Sequence, residues 1–253
     1  MIFIKEQIIA RLREIEKENN VRILLAVESG SRAWGFASPD SDYDVRFIYV
    51  RPENDYLRLE EMRDVIELPV NDVLDINGWD LQKTLRLLYR SNPTLFEWFS
   101  SPIVYTETPF AGQFRTLMTE YFSRKKSLYH YLSMAEGNLR KYLAGDTVRA
   151  KKYFYVLRPV LACRWVLNRR TPPPMRFSEL ARAELPAELA EQVQRLLELK
   201  MNSPEIREIP RIDALNDFLT AQIAAVREDI GSVTDERSGS WEELDSLFLS
   251  ALR

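Results

Sequence analysis

The chain has 253 residues, is 45% hydrophobic and 29% charged, and carries a net charge of −3, which is the composition of a folded globular protein and excludes a disordered one. Its longest apolar run, Ile23-Leu24-Leu25-Ala26-Val27, is far short of the roughly 20 residues that cross a bilayer, and the first ten residues lack a small-residue cleavage site, so neither a membrane span nor a signal peptide is expected. A single cysteine, Cys163, and a single histidine, His130, exclude a disulfide framework and a His/Cys zinc site; they leave carboxylates as the reactive groups and point to a reducing cytoplasm.

In chain order, Ile4, Ile8, Ile9, Leu12 and Ile15 recur at helical spacing and predict an amphipathic first helix. Val21 to Val27 reads as a buried strand, broken by Glu28-Ser29-Gly30-Ser31, and Arg32 to Phe36 as one or two helical turns. After the turn at Ser38-Pro39-Asp40-Ser41, residues 42–50 alternate as a strand with Val45, Phe47 and Tyr49 on one side. Val65 to Val70 and Val73 to Ile76 predict two further strands. Asp80 reads as the cap of a helix reaching about Arg90, Asn92-Pro93-Thr94 starts another, and Ile103 to Tyr105 is a last short strand. Beyond Phe110 only helices are expected: 110–144, 147–169 with a kink at Pro159, then 176–184, 186–200, 211–229 and 240–252. The expected fold is α+β, a mixed α/β half over residues 1–109 followed by an all-helical domain over 110–253.

Asp42 and Asp44 stand two apart on a strand and project from one face. Carboxylates held that closely repel unless a cation lies between them, and hard oxygen ligands suit magnesium or manganese. Upstream, Gly30-Ser31 lies between a strand and a helical turn, where a glycine lets a phosphate approach the backbone and the Ser31 hydroxyl can bind it. Asp75, an acid among apolar residues in Val73-Leu74-Asp75-Ile76, is the best third carboxylate, with Asp72 and Asp80 behind it. Asp40-Ser41-Asp42-Tyr43-Asp44 also begins like a calcium loop, but Val45 and Arg51 stand where that loop needs glycine and glutamate. A glycosyltransferase DxD would follow several strands, whereas only one precedes this motif.

Basic residues form the second signal. Twelve Lys and Arg lie between Arg124 and Arg170 against two acids, Glu136 and Asp146, an excess able to hold polyanions. Lys151, Lys152 and Arg158 are candidate phosphate or RNA contacts, as are Arg32 and Arg46 beside the Gly-Ser and DxD motifs. Trp34, Trp79, Tyr153 and Tyr155 are aromatic residues on which a base can stack.

Gly30-Ser31-Arg32-Ala33-Trp34-Gly35 with Asp42-Tyr43-Asp44 resembles the signature of the DNA polymerase beta-like nucleotidyltransferase superfamily. Asp75-Ile76-Asn77-Gly78-Trp79-Asp80-Leu81, Ser91-Asn92-Pro93 with Glu97-Trp98, Ser101 to Tyr105, and Lys151-Lys152-Tyr153-Phe154-Tyr155 with Arg158-Pro159 narrow it: the chain is similar to the RNA repair pathway DNA polymerase beta family. The resemblance implies a small mixed sheet with flanking helices (the nucleotidyltransferase fold) and Mg²⁺-dependent transfer of a nucleoside monophosphate from an NTP such as ATP, with release of pyrophosphate. It implies that Ser31 contacts the triphosphate, that Asp42 and Asp44 bind two metal ions, and that Asp75 binds the one that activates the acceptor hydroxyl. RNA or tRNA as acceptor rests on the basic segment and the family's name. Nucleotide transfer to a protein or small molecule, and a non-catalytic NTP-binding module, are the alternatives.

Overall fold

The structure, a computed structural model, describes residues 2–69, 73–202 and 208–253. The chain folds into two compact units that interleave in sequence. One comprises residues 1–30, 42–121 and 237–253, the other residues 31–41 and 122–236. The linear division at 109/110 expected from the sequence is thus drawn differently by the packing.

In the sheet unit, helix α1 (Ile2–Asn19) leads into strand β1 (Arg22–Glu28). The short helix α2 (Gly30–Trp34) begins at the unit's edge, and the chain re-enters it at β2 (Tyr43–Val50). There follow α3 (Glu53–Tyr56), β3 (Val65–Glu67), β4 (Leu74–Asp80), α4 (Leu81–Tyr89), α5 (Pro93–Phe99), β5 (Val104–Glu107) and α6 (Pro109–Tyr121). The five strands form one mixed sheet in the order β3-β4-β2-β1-β5. Strands β2 and β4 run parallel and every other pair is antiparallel.

Helix α1 lays Ile8, Leu12 and Ile15 on Ile23, Ala26, Val45, Phe47 and Tyr49. Helices α5 and α6 pack against β1, and α4 against β2 and β4. All of β1 past Arg22 is buried, which is why it reads as an unbroken apolar run. Asp80 caps α4 by accepting from the Gln82 amide at 2.7 Å, and the Asn92 side chain caps α5.

The helical unit contains α7 (Arg124–Tyr142), β6 (Thr147–Arg149), α8 (Ala150–Arg169), α9 (Phe177–Glu184), α10 (Ala187–Asn202), β7 (Glu208–Pro210) and α11 (Asp213–Asp229). Helix α8 runs through Pro159 and is buried on most sides, so it serves as the central post. The Tyr153 hydroxyl on α8 accepts from the Ile212 amide at 2.7 Å and donates to Asn216 Oδ1 at 2.9 Å. Asn216 Nδ2 in turn donates to the Leu143 carbonyl, so one buried network ties α7, α8 and α11 together. Phe36, from the stretch between β1 and β2, belongs to this core.

Three expectations change. The single helix expected over 110–144 is two, because Ser123 caps a new helix through the Lys126 amide at 3.1 Å. Strands do not stop at residue 110, since β6 and β7 pair antiparallel. The last helix, α12 (Trp241–Leu252), belongs to the sheet unit and packs on α4 and α6. There the Tyr121 hydroxyl donates to the Ser240 carbonyl at 2.5 Å, Arg22 donates to the Ala251 carbonyl, and Tyr89 stacks on Trp241 at 3.9 Å.

Candidate active site

The parallel pairing of β2 and β4 sets Asp44 directly opposite Asp75. Neighbouring strands lie about 4.8 Å apart, so two carboxylates of one register project side by side. Both are half-buried, and their repulsion calls for a positive charge. Arg46 supplies it from the same strand, two positions on and therefore on the same face. Its Nη2 donates to Asp44 Oδ1 at 3.0 Å and to Asp75 Oδ2 at 2.6 Å, while Nη1 donates to the Asp75 carbonyl at 2.9 Å.

A second group of contacts brings Gly30 to this pair. Strand β1 ends at Glu28, which is fully buried. Its Oε1 accepts from the Asp44 amide at 2.8 Å, and its Oε2 accepts from the Tyr105 hydroxyl. The Ser101 hydroxyl donates to the Glu28 carbonyl at 2.6 Å, and the Ser29 amide donates to the Asp44 carbonyl at 2.8 Å. Burying a carboxylate is expensive unless it is hydrogen-bonded, and Glu28 is bonded on both oxygens. The result draws the turn after β1 against Asp44, with Gly30 at φ +58°. A Cβ on residue 30 would lie 1.9 Å from Asp44 Oδ2, so only glycine fits there.

The other sequence candidates lie in several places. Asp42 is exposed, one residue ahead of β2, and is not on the strand as expected. Among the described residues no group of three or more His, Cys, Asp or Glu side chains is arranged to hold a metal ion, so Asp42 is not gathered with Asp44 and Asp75. Those two alone already share one cationic group, and their donor set, oxygen only, suits a hard divalent ion. Asp72 lies outside the described residues. Asp80, at the other end of β4, is a buried helix cap whose second oxygen accepts from the Tyr56 hydroxyl at 2.9 Å; desolvation holds its carboxyl above the usual value.

Ser31 follows Gly30 as the second residue of α2. Arg32 donates to the Ser41 carbonyl at 2.5 Å. Arg158 does not present its guanidinium to solvent: it is 2% exposed, 4.8 Å over the Trp34 ring, and near the Met175 sulfur. It lies on the core side of α8, so it is not the exposed phosphate or RNA contact it was a candidate for. Lys151 and Lys152 are half-exposed, and the Lys152 ammonium stands 4.0 Å from the Tyr142 ring centre and 4.4 Å from that of Tyr155. Of the stacking candidates, Tyr153 is fully buried and Trp79 packs on Trp98 at 4.0 Å. Cys163 is buried, which pushes its thiol far up and removes it as a nucleophile.

Glu28 escaped the sequence reading. Its signal was a charged residue closing a wholly apolar strand immediately before Ser29-Gly30.

A family model described as RNA repair pathway DNA polymerase beta family matches residues 4–250. The uncharacterized protein YcgL of Bacillus subtilis (strain 168) is 48% identical over 251 residues, which make up 98% of this chain and 96% of that protein. A crystal structure of a nucleotidyltransferase-like protein from Exiguobacterium sibiricum 255-15 aligns over 89% of this chain and 75% of its own, at 14% identity and a TM-score of 0.32. No described helix is long and apolar enough to cross a membrane.

Proposed function

Because the chain belongs to the RNA repair pathway DNA polymerase beta family, we propose that its sheet unit is a nucleotidyltransferase centre that moves a nucleoside monophosphate from an NTP, ATP among them, to an acceptor hydroxyl. Family membership supports a nucleotidyltransferase of the DNA polymerase beta type. The observation that carries the assignment to a site is the in-register pair Asp44 and Asp75, sharing one positive group beside Gly30.

In the reaction the acceptor oxygen bonds to the α-phosphorus, the bond from that phosphorus to the α,β-bridging oxygen breaks, and pyrophosphate leaves with the electron pair. The hydroxyl proton is released to solvent. Asp44 and Asp75 would hold a magnesium or manganese ion, and Asp42 is the third carboxylate proposed as its ligand. Such an ion, when bound, supplies charge neutralisation for the triphosphate and a lowered pKa for the acceptor hydroxyl. Gly30 lets the Asp44 carboxylate lie against the turn, and the Ser31 hydroxyl is the group proposed to hold a phosphate. Arg46 and Arg32 are the nearest cations in sequence, and Arg46, bonded to one oxygen of each carboxylate, competes with another cation for them. Lys151 and Lys152 are the basic residues proposed to contact the nucleotide or its acceptor.

RNA or tRNA as acceptor is supported by the twelve cations between Arg124 and Arg170 and by the family description. A cytoplasmic setting suits the lone buried thiol. One observation favours a second reading, a non-catalytic NTP-binding module: Arg46 neutralises both carboxylates from within the chain.

The test is incubation of the purified protein and Mg²⁺ with each labelled NTP, alone and then with tRNA, other RNA or cell extract. Label on RNA is expected. Label on a protein or small molecule instead would sink the RNA acceptor, and NTP binding without transfer to anything would favour the non-catalytic module.

A further inference from the structure

We infer that Lys200 and Arg158, two buried cations of the helical unit, are positioning residues that set the shape of residues 31–41. The inference rests on the reading of the site given above. That stretch is covalently continuous with Gly30 at one end and with Asp42 at the other, so its shape bears on how Ser31 and Asp42 are presented.

Every contact involved lies within the helical unit. Lys200, near the end of α10, is 5% exposed. Its Nζ donates to Ser38 Oγ at 3.1 Å and to Ser41 Oγ at 3.3 Å, and it stands 5.7 Å from the Phe36 ring centre. The two serines are joined to each other: their hydroxyl oxygens are 2.9 Å apart, and the Ser38 amide donates to Ser41 Oγ at 3.0 Å. Arg158 covers the Trp34 ring from α8. Phe36 packs against Phe154 at 4.9 Å and Phe177 at 5.6 Å. Four side chains within eight residues are thus gripped from α8, α9 and α10.

A connection that only had to join two strands would need no more than its aromatic contacts. Burying an ammonium and a guanidinium against hydroxyls and ring faces is a poor route to stability, because each loses its hydration. What directional, charge-assisted bonds do supply is a fixed geometry, and a site that works by positioning depends on the residues that hold its supports. Lys200 acts through Ser38 and Ser41 on the turn that delivers Asp42, and Arg158 acts through Trp34 on the helix that opens at Gly30-Ser31.

Lys200→Met and Lys200→Arg are compared with the wild type for binding of ATP, GTP, CTP and UTP in the presence of Mg²⁺, and for thermal unfolding. Methionine removes the ammonium at similar length and leaves the two serines bonded to each other. The expected result is a melting temperature close to the wild type, an NTP dissociation constant raised by about tenfold, and recovery of most of the affinity by arginine. A folded Lys200→Met protein that binds NTP as the wild type does overturns the inference, since a merely structural lysine leaves binding untouched. Should methionine prevent folding, Ser38→Ala serves instead: Ser41 still accepts from Lys200, and a severalfold weaker NTP affinity supports the inference while unchanged affinity overturns it. A wild-type protein that binds none of the four NTPs overturns the reading of the site itself, and this inference with it.

Discussion

The carboxylate of Asp44 occupies the space that a side chain on Gly30 would need, its Oδ2 lying 1.9 Å from the position of a Cβ there. The Asp44 side chain, bonded through Oδ1 to Arg46, can yield only at the expense of that contact, and Gly30 sits at φ +58°. Gly30→Ala is therefore expected to displace Asp44. It should lower stability by about 1–2 kcal/mol, for the left-handed backbone and the clash, and lower nucleotide transfer by on the order of 10²-fold. Thermal unfolding and a labelled-NTP assay measure the two effects separately, and transfer at the wild-type rate would show that this close approach has no part in function.

Asp44→Asn and Asp75→Asn each keep the size of the side chain and remove its charge. Each is expected to reduce transfer by at least about 10²-fold with a small effect on folding, because Arg46 keeps one charged partner in either variant. Circular dichroism checks the fold and NTP turnover checks the site. Retained turnover in either would remove that residue from the assignment.

Arg46→Gln leaves Asp44 and Asp75 facing each other without a neutralising charge. The variant should unfold at a lower temperature than the wild type in a chelator, and Mg²⁺ should raise its melting temperature by more than it raises that of the wild type. Titrating Mg²⁺ in a thermal-shift measurement tests this, and an equal metal response in both proteins would mean the two carboxylates are not the metal ligands.

Asp80 offers a test by pH. Desolvation holds its carboxyl above the ordinary value of 3.8 despite the Gln82 amide, the Tyr56 hydroxyl and Arg51. The folded chain therefore takes up this proton more readily than the unfolded chain. The resulting stability is fully present below the ordinary value and is lost as pH rises through the raised folded value. Asp80→Asn, which still caps α4, should lack this component and lose little at neutral pH, whereas Asp80→Ala loses about 1 kcal/mol with the cap. Denaturant unfolding of wild type and Asp80→Asn across the acidic range measures the difference. A wild-type stability falling relative to Asp80→Asn as pH drops would contradict the direction.

Much of the sheet was legible because it is written in local pattern. The apolar run of β1, the alternation at Val45, Phe47 and Tyr49, and the caps at Asp80 and Asn92 need no knowledge of the rest of the chain. The Asp42-x-Asp44 spacing identified two acids and the apolar flanks of Asp75 a third. That Asp44 rather than Asp42 faces Asp75 depends on a parallel register set across a connection of more than twenty residues, and no local signal records it. Arg46 was visible as a nearby cation but not as the partner of both acids. Arg158 stood out only as one of the cations in a basic segment, but α8 is buried on most sides, so a cation on it can point inward. The assignment of 31–41 and 237–253 to their units follows from packing between distant segments, and Phe36 and Trp241 look no different in sequence from any other aromatic residue.

The return of α12 to the sheet unit has a consequence for how the protein is made. Synthesis runs from the N-terminus, so the helical unit, complete at residue 236, can fold while α4 and α6 still lack the helix that covers them. Until Trp241 emerges Tyr89 lacks its stacked partner, and until Phe248 emerges Tyr56 lacks its edge-on one. A stop between codons 237 and 248 would therefore spare the helical unit and leave the proposed catalytic one without the Phe248 contact.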